Sequence, residues 1–285
     1  MLVLSSPEAV SQTAAQWKTA GLIALVPTMG ALHDGHLKLI SRAKEMAARV
    51  MVSIFVNPLQ FGPKEDFTKY PRPFENDREK CEAAGVDLLF HPEVKDFYPE
   101  GFRTRVSVGE LSLPLEGQSR PGHFDGVATV CLKLFQVSRA DIAVFGEKDF
   151  QQLRVLQQMV TDLNLPIRLI PYPIVREADG LALSSRNRYL SAEERRWASQ
   201  IPAALKAVAS LGEQFPATTV GEVINTAHSV LTSVPLQVDY LTVAQANDLK
   251  PVAEAVKLES LESPRLFVAV KAGTTRLIDN LALKG

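Results

Sequence analysis

The chain has 285 residues, 46% hydrophobic and 22% charged, which is enough apolar material for one large core or two medium ones. Its formal net charge of -1 excludes the strong basic field that nucleic acid binding needs. No stretch approaches the roughly 18 apolar residues of a membrane span, the N-terminal MLVLSSPEAV is too short and lacks the basic flank of a signal peptide, and Cys81 and Cys131, without CxxC spacing, form neither a disulfide framework nor a zinc site.

Residues 21–26 read as a buried strand stopped by Pro27. A helix is expected from about 36 to 49, and a second buried strand over 50–56. Residues 74–84 read as a helix with Gly85 as its C-terminal cap. A third strand follows over 86–90, then a helix over 127–137, a strand over 142–145 and a helix over 149–163. Pro166 ends that helix before a strand over 167–170. Strands apolar along their whole length, alternating with helices, predict a Rossmann-like parallel sheet with helices on both faces. Beyond residue 175 the texture changes. Ser191 and Glu194 form a capping box that opens a long helix. A further helix near 220–231 precedes strand-like runs at 238–243, 266–271 and 277–278. The expected division is a larger α/β domain over 1–175 and a smaller α+β domain over 176–285.

Three loops at the carboxyl ends of the predicted strands carry the chemistry, because ligands of parallel sheets bind at that edge. The segment PTMGALHDGH (27–36) joins a strand to a helix. Gly30 and Gly35 let the backbone approach a ligand. His33 and His36 stand at the mouth of the helix, where free N–H groups and the helix dipole attract phosphate. Imidazoles there can donate to phosphate oxygens as charge builds. The segment FGEKDFQQ (145–152) supplies Lys148, a compact charge that can reach a phosphate, and Asp149, which also suits a helix cap. In FVNPLQFG (55–62), Asn57 and Gln60 are amides able to hydrogen-bond a small polar substrate. Near the expected domain junction, DGLALSSRN (179–187) brings Ser184, Ser185 and Arg186, two hydroxyls and a planar fork suited to phosphate. His91 and His228 read as surface residues.

An HxGH motif between a strand and a helix points to a nucleotidyltransferase-like fold. The ordered set PTMGALHDGH, SIFVNPLQFG, KYPR, SRPGHFDGVATV, FGEKDFQQL and DGLALSSRN, spanning 27–187, is more specific. It resembles the pantoate–β-alanine ligase family within the HxGH nucleotidyltransferase superfamily. The last hundred residues match in length and character only. The resemblance implies condensation of (R)-pantoate with β-alanine, driven by ATP and Mg²⁺, through a pantoyl adenylate, with release of AMP and pyrophosphate. It implies that Met29, Gly30, Ala31, Leu32, His33, Asp34, Gly35 and His36 line the ATP site, with His36 catalytic alongside His33, Lys148 and Arg186. Gly146, Glu147, Lys148, Asp149, Val175, Leu183, Ser184, Ser185 and Arg186 also hold ATP by this resemblance. The resemblance implies that Gln60 and Gln152 bind pantoate and that Gln60 also helps place β-alanine; Asn57, by its amide, joins them as an expected substrate contact. Arg120 and His123 belong to a loop near the phosphates.

The family's pattern has two acidic residues after Tyr-Pro-Arg. This chain has Asn76 and Asp77 there, so a metal role falls to Asp77 alone. Leu183 stands where many relatives have Met. A cytoplasmic homodimer joined through the N-terminal domain, with the second domain as a lid hinged near 176–180, completes the expectation. The alternatives are another HxGH nucleotidyltransferase and a nucleotide-binding regulator without chemistry.

Overall fold

The computed structural model describes residues 1–63, 65–215 and 217–283. It divides into two compact units, Met1–Glu147 with Gln151–Pro173 and Lys148–Phe150 with Ile174–Gly285. In the first unit six strands form one sheet: β1 (Leu2–Leu4), β2 (Ile23–Thr28), β3 (Arg49–Ile54), β4 (Leu88–Phe90), β5 (Ile142–Gly146) and β6 (Arg168–Tyr172). Their order is β1-β4-β3-β2-β5-β6, and every pairing is parallel.

The helices of this part of the chain are α1 (Pro7–Trp17), α2 (Asp34–Met46), α3 (Phe74–Ala83), α4 (Val94–Phe97), α5 (Glu116–Ser119), α6 (His123–Ser138) and α7 (Phe150–Asp162). Side chains alternate across a strand, so the central strands feed two cores. Ile23, Leu25, Met51, Leu88 and Phe145 pack with α1, α6 and α7. Ala24, Val26, Val52, Leu89 and Val144 pack on the opposite face with α2 and α3. That two-sided burial explains why these strands read as continuous apolar runs.

The second unit holds α8 (Ala192–Ala198), α9 (Gln200–Gln214) and α10 (Val220–Leu231), with an antiparallel sheet β7 (Leu236–Gln245), β8 (Pro264–Ala272) and β9 (Thr275–Ala282). Its core joins the helices to the inner sheet face through Ile201, Leu205, Val223, Leu231, Val243, Leu266 and Val268. The architecture is the expected helix-covered parallel sheet with a smaller α+β companion.

Four local readings need correction. Pro27 lies inside β2 rather than ending it. On the β5 side pairing covers only Ala24 and Leu25, so the missing Pro27 N–H interrupts no ladder there. The single long helix after Ser191 is two helices broken at Ser199; Pro202 has no N–H to return to Ala198. Residues 2–17, for which no element is expected, form β1 and α1, the helix capped by Ser6 Oγ and opened by Pro7. Helix α6 begins at His123, four residues before the expected start.

Cys81 and Cys131 are buried, and burial pushes both thiols up to about 12, so neither is a reactive thiolate. Among the described residues no helix is long and apolar enough to cross a membrane.

Candidate active site

From β2 the chain builds outward to β3 and β4 on one side, then restarts at β5 on the other. Such a reversal leaves a crevice beyond the carboxyl ends of the two central strands, here Thr28 and Gly146. The segment that leaves Thr28 is tightly held. Thr28 Oγ1 donates to the Ser53 carbonyl at 2.7 Å and accepts the Gly30 N–H at 3.2 Å. Gly30 (φ +85°) and Ala31 (φ +51°) are both left-handed, an uncommon conformation for alanine. Their turn is fixed from α3. The buried Asp77 carboxylate accepts the Ala31 N–H at 2.7 Å on one oxygen and the Leu32 N–H at 2.8 Å on the other. One helical turn further on, Lys80 Nζ donates to the Leu32 carbonyl at 2.6 Å. A side chain at position 30 would stand 3.0 Å from both Asp77 Oδ2 and Ile54 Cγ2, so glycine is required there.

The turn delivers His33 to the N-cap of α2 and His36 to its first turn, with ring centroids 4.1 Å apart. The His33 N–H donates to His36 Nδ1 at 3.3 Å. A backbone N–H can only donate, so in neutral His36 the ring proton sits on Nε2 and that nitrogen is a donor. An imidazole donor thus stands at the electropositive end of a thirteen-residue helix, an arrangement made for an anion.

The second cluster surrounds the short 3₁₀ turn Pro58–Gln60 that follows β3. Asn57 is buried and fully committed. Its Nδ2 donates to Gln60 Oε1 and to the Gly126 carbonyl of α6, each at 3.0 Å. Its Oδ1 accepts the Leu59 N–H at 3.2 Å and the Tyr98 hydroxyl at 2.9 Å. An amide has two donor hydrogens and two acceptor positions, so Asn57 has no capacity left, and the expectation that it touches substrate does not fit. Gln60 is different. Its Oε1 faces Asn57, so its amide nitrogen points away from Asn57 and lies 3.1 Å from Met29 Sδ, a weak acceptor. Helix α6 comes close enough to make this possible because Gly126 carries no side chain; a Cβ there would overlap the Leu59 carbonyl.

Arg120 and His123 sit behind this turn. Arg120 pairs with Glu65 at 2.5 Å and reaches His123 Nε2 at 3.0 Å. His123 Nδ1 meets the Gln60 carbonyl at 2.8 Å. Arginine only donates and a carbonyl only accepts, so His123 is neutral with its proton on Nδ1. Burial first, and then the Arg120 charge, lower its pKa to about 4, in keeping with that state. His123 therefore supports the backbone of Gln60.

The other expected residues fall apart by unit. Gly146 and Glu147 close β5, and Gln152 lies half-buried on α7, all in the first unit. Its neighbour Gln151 is structural, donating to the Leu111 and Pro114 carbonyls and accepting the Glu116 N–H. Lys148, Asp149, Val175 and residues 183–186 belong to the second unit. There, Asn280 of β9 donates to the Lys148 carbonyl at 3.0 Å, and Arg265 lies 3.9 Å over the Phe150 ring. Residues 176–180 form a tight turn fastened within this unit by the Arg176–Asp279 pair and by Arg195, which binds Glu177 and Asp179. Ser184 Oγ accepts the Arg186 N–H at 3.3 Å and so caps the turn Ser185–Tyr189.

Among the described residues no group of three His, Cys, Asp or Glu side chains could hold a metal ion. Both oxygens of Asp77 are used by backbone N–H groups. The described residues thus form no protein-only cage for magnesium, and Asp77 serves the turn that follows β2. Of the remaining histidines, His228 is exposed in the last turn of α10. His91 is exposed as well, yet stacks on Phe74 and hydrogen-bonds the Ile54 carbonyl. Nothing local in the sequence marks Tyr98, Gly126, Lys80 or Asn280 as site supports, because each acts across 41 or more residues of chain.

Comparison with known proteins matches this geometry to a family. The profile described as Pantoate-beta-alanine ligase matches residues 2–282. A pantothenate synthetase of Mycolicibacterium smegmatis is 50% identical over 284 residues, covering 99% of this chain and 87% of its own. One from Chlorobium phaeobacteroides is 46% identical, covering 100% and 98%. The crystal structure of pantothenate synthetase from Thermus thermophilus superposes with a TM-score of 0.91 at 44% identity and covers 100% of each chain. The pantoate-beta-alanine ligase of Francisella tularensis, complexed with beta-gamma ATP and beta-alanine, has a TM-score of 0.80 at 33% identity and covers 100% of this chain and 98% of its own. This chain belongs to the pantoate–β-alanine ligase family.

Proposed function

We propose that the protein condenses (R)-pantoate with β-alanine in two ATP-driven steps. The pantoate carboxylate attacks the α-phosphorus of ATP, forming pantoyl adenylate and releasing pyrophosphate. The free amine of β-alanine then attacks the acyl carbon, and AMP leaves. The observation that carries this reading is the Asp77-held turn that delivers His33 and His36 to the N-terminus of α2.

In the first step two anions meet, and negative charge builds on the bridging and non-bridging oxygens of the phosphates. Residues 29–36 offer backbone N–H groups, the helix dipole and two imidazoles to that charge, and one well-placed donor of this kind contributes about 3–4 kcal/mol. Gly146, Glu147, Lys148, Asp149, Val175, Leu183, Ser184, Ser185 and Arg186 are further ATP contacts in this reading, with Lys148 and Arg186 supplying positive charge. Gln60, with its amide nitrogen on the Met29 side, and Gln152 hold pantoate, and Gln60 also helps place β-alanine. Positioning of two reactants contributes on the order of 7–11 kcal/mol. Mg²⁺ belongs to the reaction as an ion carried by the ATP phosphates and water, the usual mode for this cation. A homodimer is part of the same reading, and sedimentation in solution checks it.

The test mixes protein, ATP, Mg²⁺ and pantoate, with and without β-alanine. AMP that depends on pantoate, and pantothenate that depends on β-alanine, are the expected products. Pyrophosphate without AMP after addition of β-alanine points to another HxGH nucleotidyltransferase. Absence of both leaves a nucleotide binder without chemistry.

A further inference from the structure

Gln60 can present either end of its amide to a ligand, and the two ends have opposite hydrogen-bond polarity. What sets the polarity lies behind it. The Leu59 N–H can only donate and the Gly126 carbonyl can only accept, so Asn57, bonded to both, has its oxygen and nitrogen assigned without ambiguity. Asn57 Nδ2 then faces Gln60, which must answer with Oε1 and turn its own nitrogen away from Asn57, toward Met29 Sδ. The remaining partner of Asn57 comes from outside this turn. The Tyr98 hydroxyl, 41 residues away, makes the shorter of the two contacts to Asn57 Oδ1, at 2.9 Å against 3.2 Å for Leu59.

Tyr98 is itself immobilised. Its ring packs against Phe55, Phe97 and Phe102, with centroids 5.8, 5.3 and 4.9 Å away. Lys133 Nζ lies over the Phe97, Tyr98 and Phe102 rings at 5.0, 5.6 and 4.9 Å, a cation held in an aromatic cage. Burial raises the pKa of the hydroxyl further above its ordinary value, so it remains a proton donor wherever the protein is folded and active.

We propose that Tyr98 is a positioning residue for substrate recognition: by tying Asn57 Oδ1 to the aromatic cage it keeps the Asn57–Gln60 pair in place, with the Gln60 N–H₂ on the Met29 side, so that this point of the site accepts an oxygen acceptor of pantoate and rejects a donor. The inference rests on the reading of Gln60 as a pantoate contact. Substitution Tyr98→Phe removes one oxygen and leaves the ring in its packing. Asn57 Oδ1 then keeps only a long bond inside its own turn, and the turn loses its tie to the Tyr98 ring.

The experiment is a double-mutant cycle on the full-length protein, with Tyr98→Phe, Gln60→Ala and the double variant, reading pantoate Kd by calorimetry and KM for ATP from pyrophosphate release. Tyr98→Phe is expected to weaken pantoate binding about five- to tenfold, the scale of one hydrogen bond lost to a charged ligand. KM for ATP stays at the parent value, and Tyr98→Phe has no further effect once Gln60 is alanine. If Gln60→Ala weakens pantoate binding while Tyr98→Phe alone leaves it unchanged, the Tyr98 proposal fails and the Gln60 reading survives. If the Tyr98→Phe effect persists in the Gln60→Ala background, or KM for ATP rises with it, Tyr98 acts on the fold in general and the proposal fails. If Gln60→Ala binds pantoate as the parent does, the Gln60 reading fails and takes the proposal with it.

Discussion

The substitution Asp77→Ala tests whether this carboxylate is a scaffold or a metal ligand. Asp77 is 1% exposed, and the two residues whose N–H groups it accepts, Ala31 and Leu32, are fully buried. Alanine leaves both donors without a partner where water does not reach. Each buried unsatisfied donor costs about 1–3 kcal/mol, or about 2–6 kcal/mol for the pair. Release of Ala31 from its left-handed conformation returns about 1–2 kcal/mol as the turn relaxes. The net expectation is a loss of about 3 kcal/mol of stability in the first unit. Asp77→Asn retains one acceptor and should fall between parent and alanine. Urea unfolding followed by circular dichroism measures the stability, and calorimetry with ATP measures the site, because a relaxed turn no longer presents His33 and His36 to phosphate. A variant within about 1 kcal/mol of the parent, but needing far more Mg²⁺ for activity, would refute the scaffold reasoning and restore Asp77 as a metal ligand.

Three further outcomes can be measured on the same footing. His36→Ala should slow adenylation at least about 100-fold, the scale of one lost transition-state donor; pyrophosphate release at the parent rate would remove His36 from the chemistry. His123 has a folded pKa of about 4 against 6.5 for the free side chain, so the unfolded chain takes up its proton first as pH falls. Its neutral form therefore stabilises the fold fully above pH 6.5, and this contribution, about 3 kcal/mol, is lost between pH 6.5 and about 4; denaturation of parent and His123→Leu at pH 7 and pH 4.5 should give a difference that changes with pH, and a constant difference refutes the assignment. Gly126→Ala forces a methyl into the Leu59 backbone and should cost about 1–3 kcal/mol and raise KM for pantoate more than KM for ATP; a neutral result would show that α6 and the Pro58–Gln60 turn can separate freely.

Much of this molecule is legible in one dimension, and for a physical reason. Parallel strands buried on both faces must be apolar throughout, so residues 21–26 and 142–145 announce themselves, and the capping box at Ser191 marks a helix start by local hydrogen bonding alone. The glycines and histidines of PTMGALHDGH are equally local, since the chemistry of a strand-to-helix turn needs them within about ten residues. Local chemistry does not reveal which side chains face substrate and which hold those that do. Asn57 and Gln60 look alike in sequence; only the Gly126 carbonyl and the Tyr98 hydroxyl, brought from α6 and from the segment after α4, exhaust the first and orient the second. The resemblance likewise assigns Asp77 a metal role, and it becomes a backbone acceptor only because α3 packs against the turn that follows β2. Hydrogen-bond capacity is finite, and what consumes it in a folded protein comes from distant chain, so the tertiary structure decided the division between contact and support.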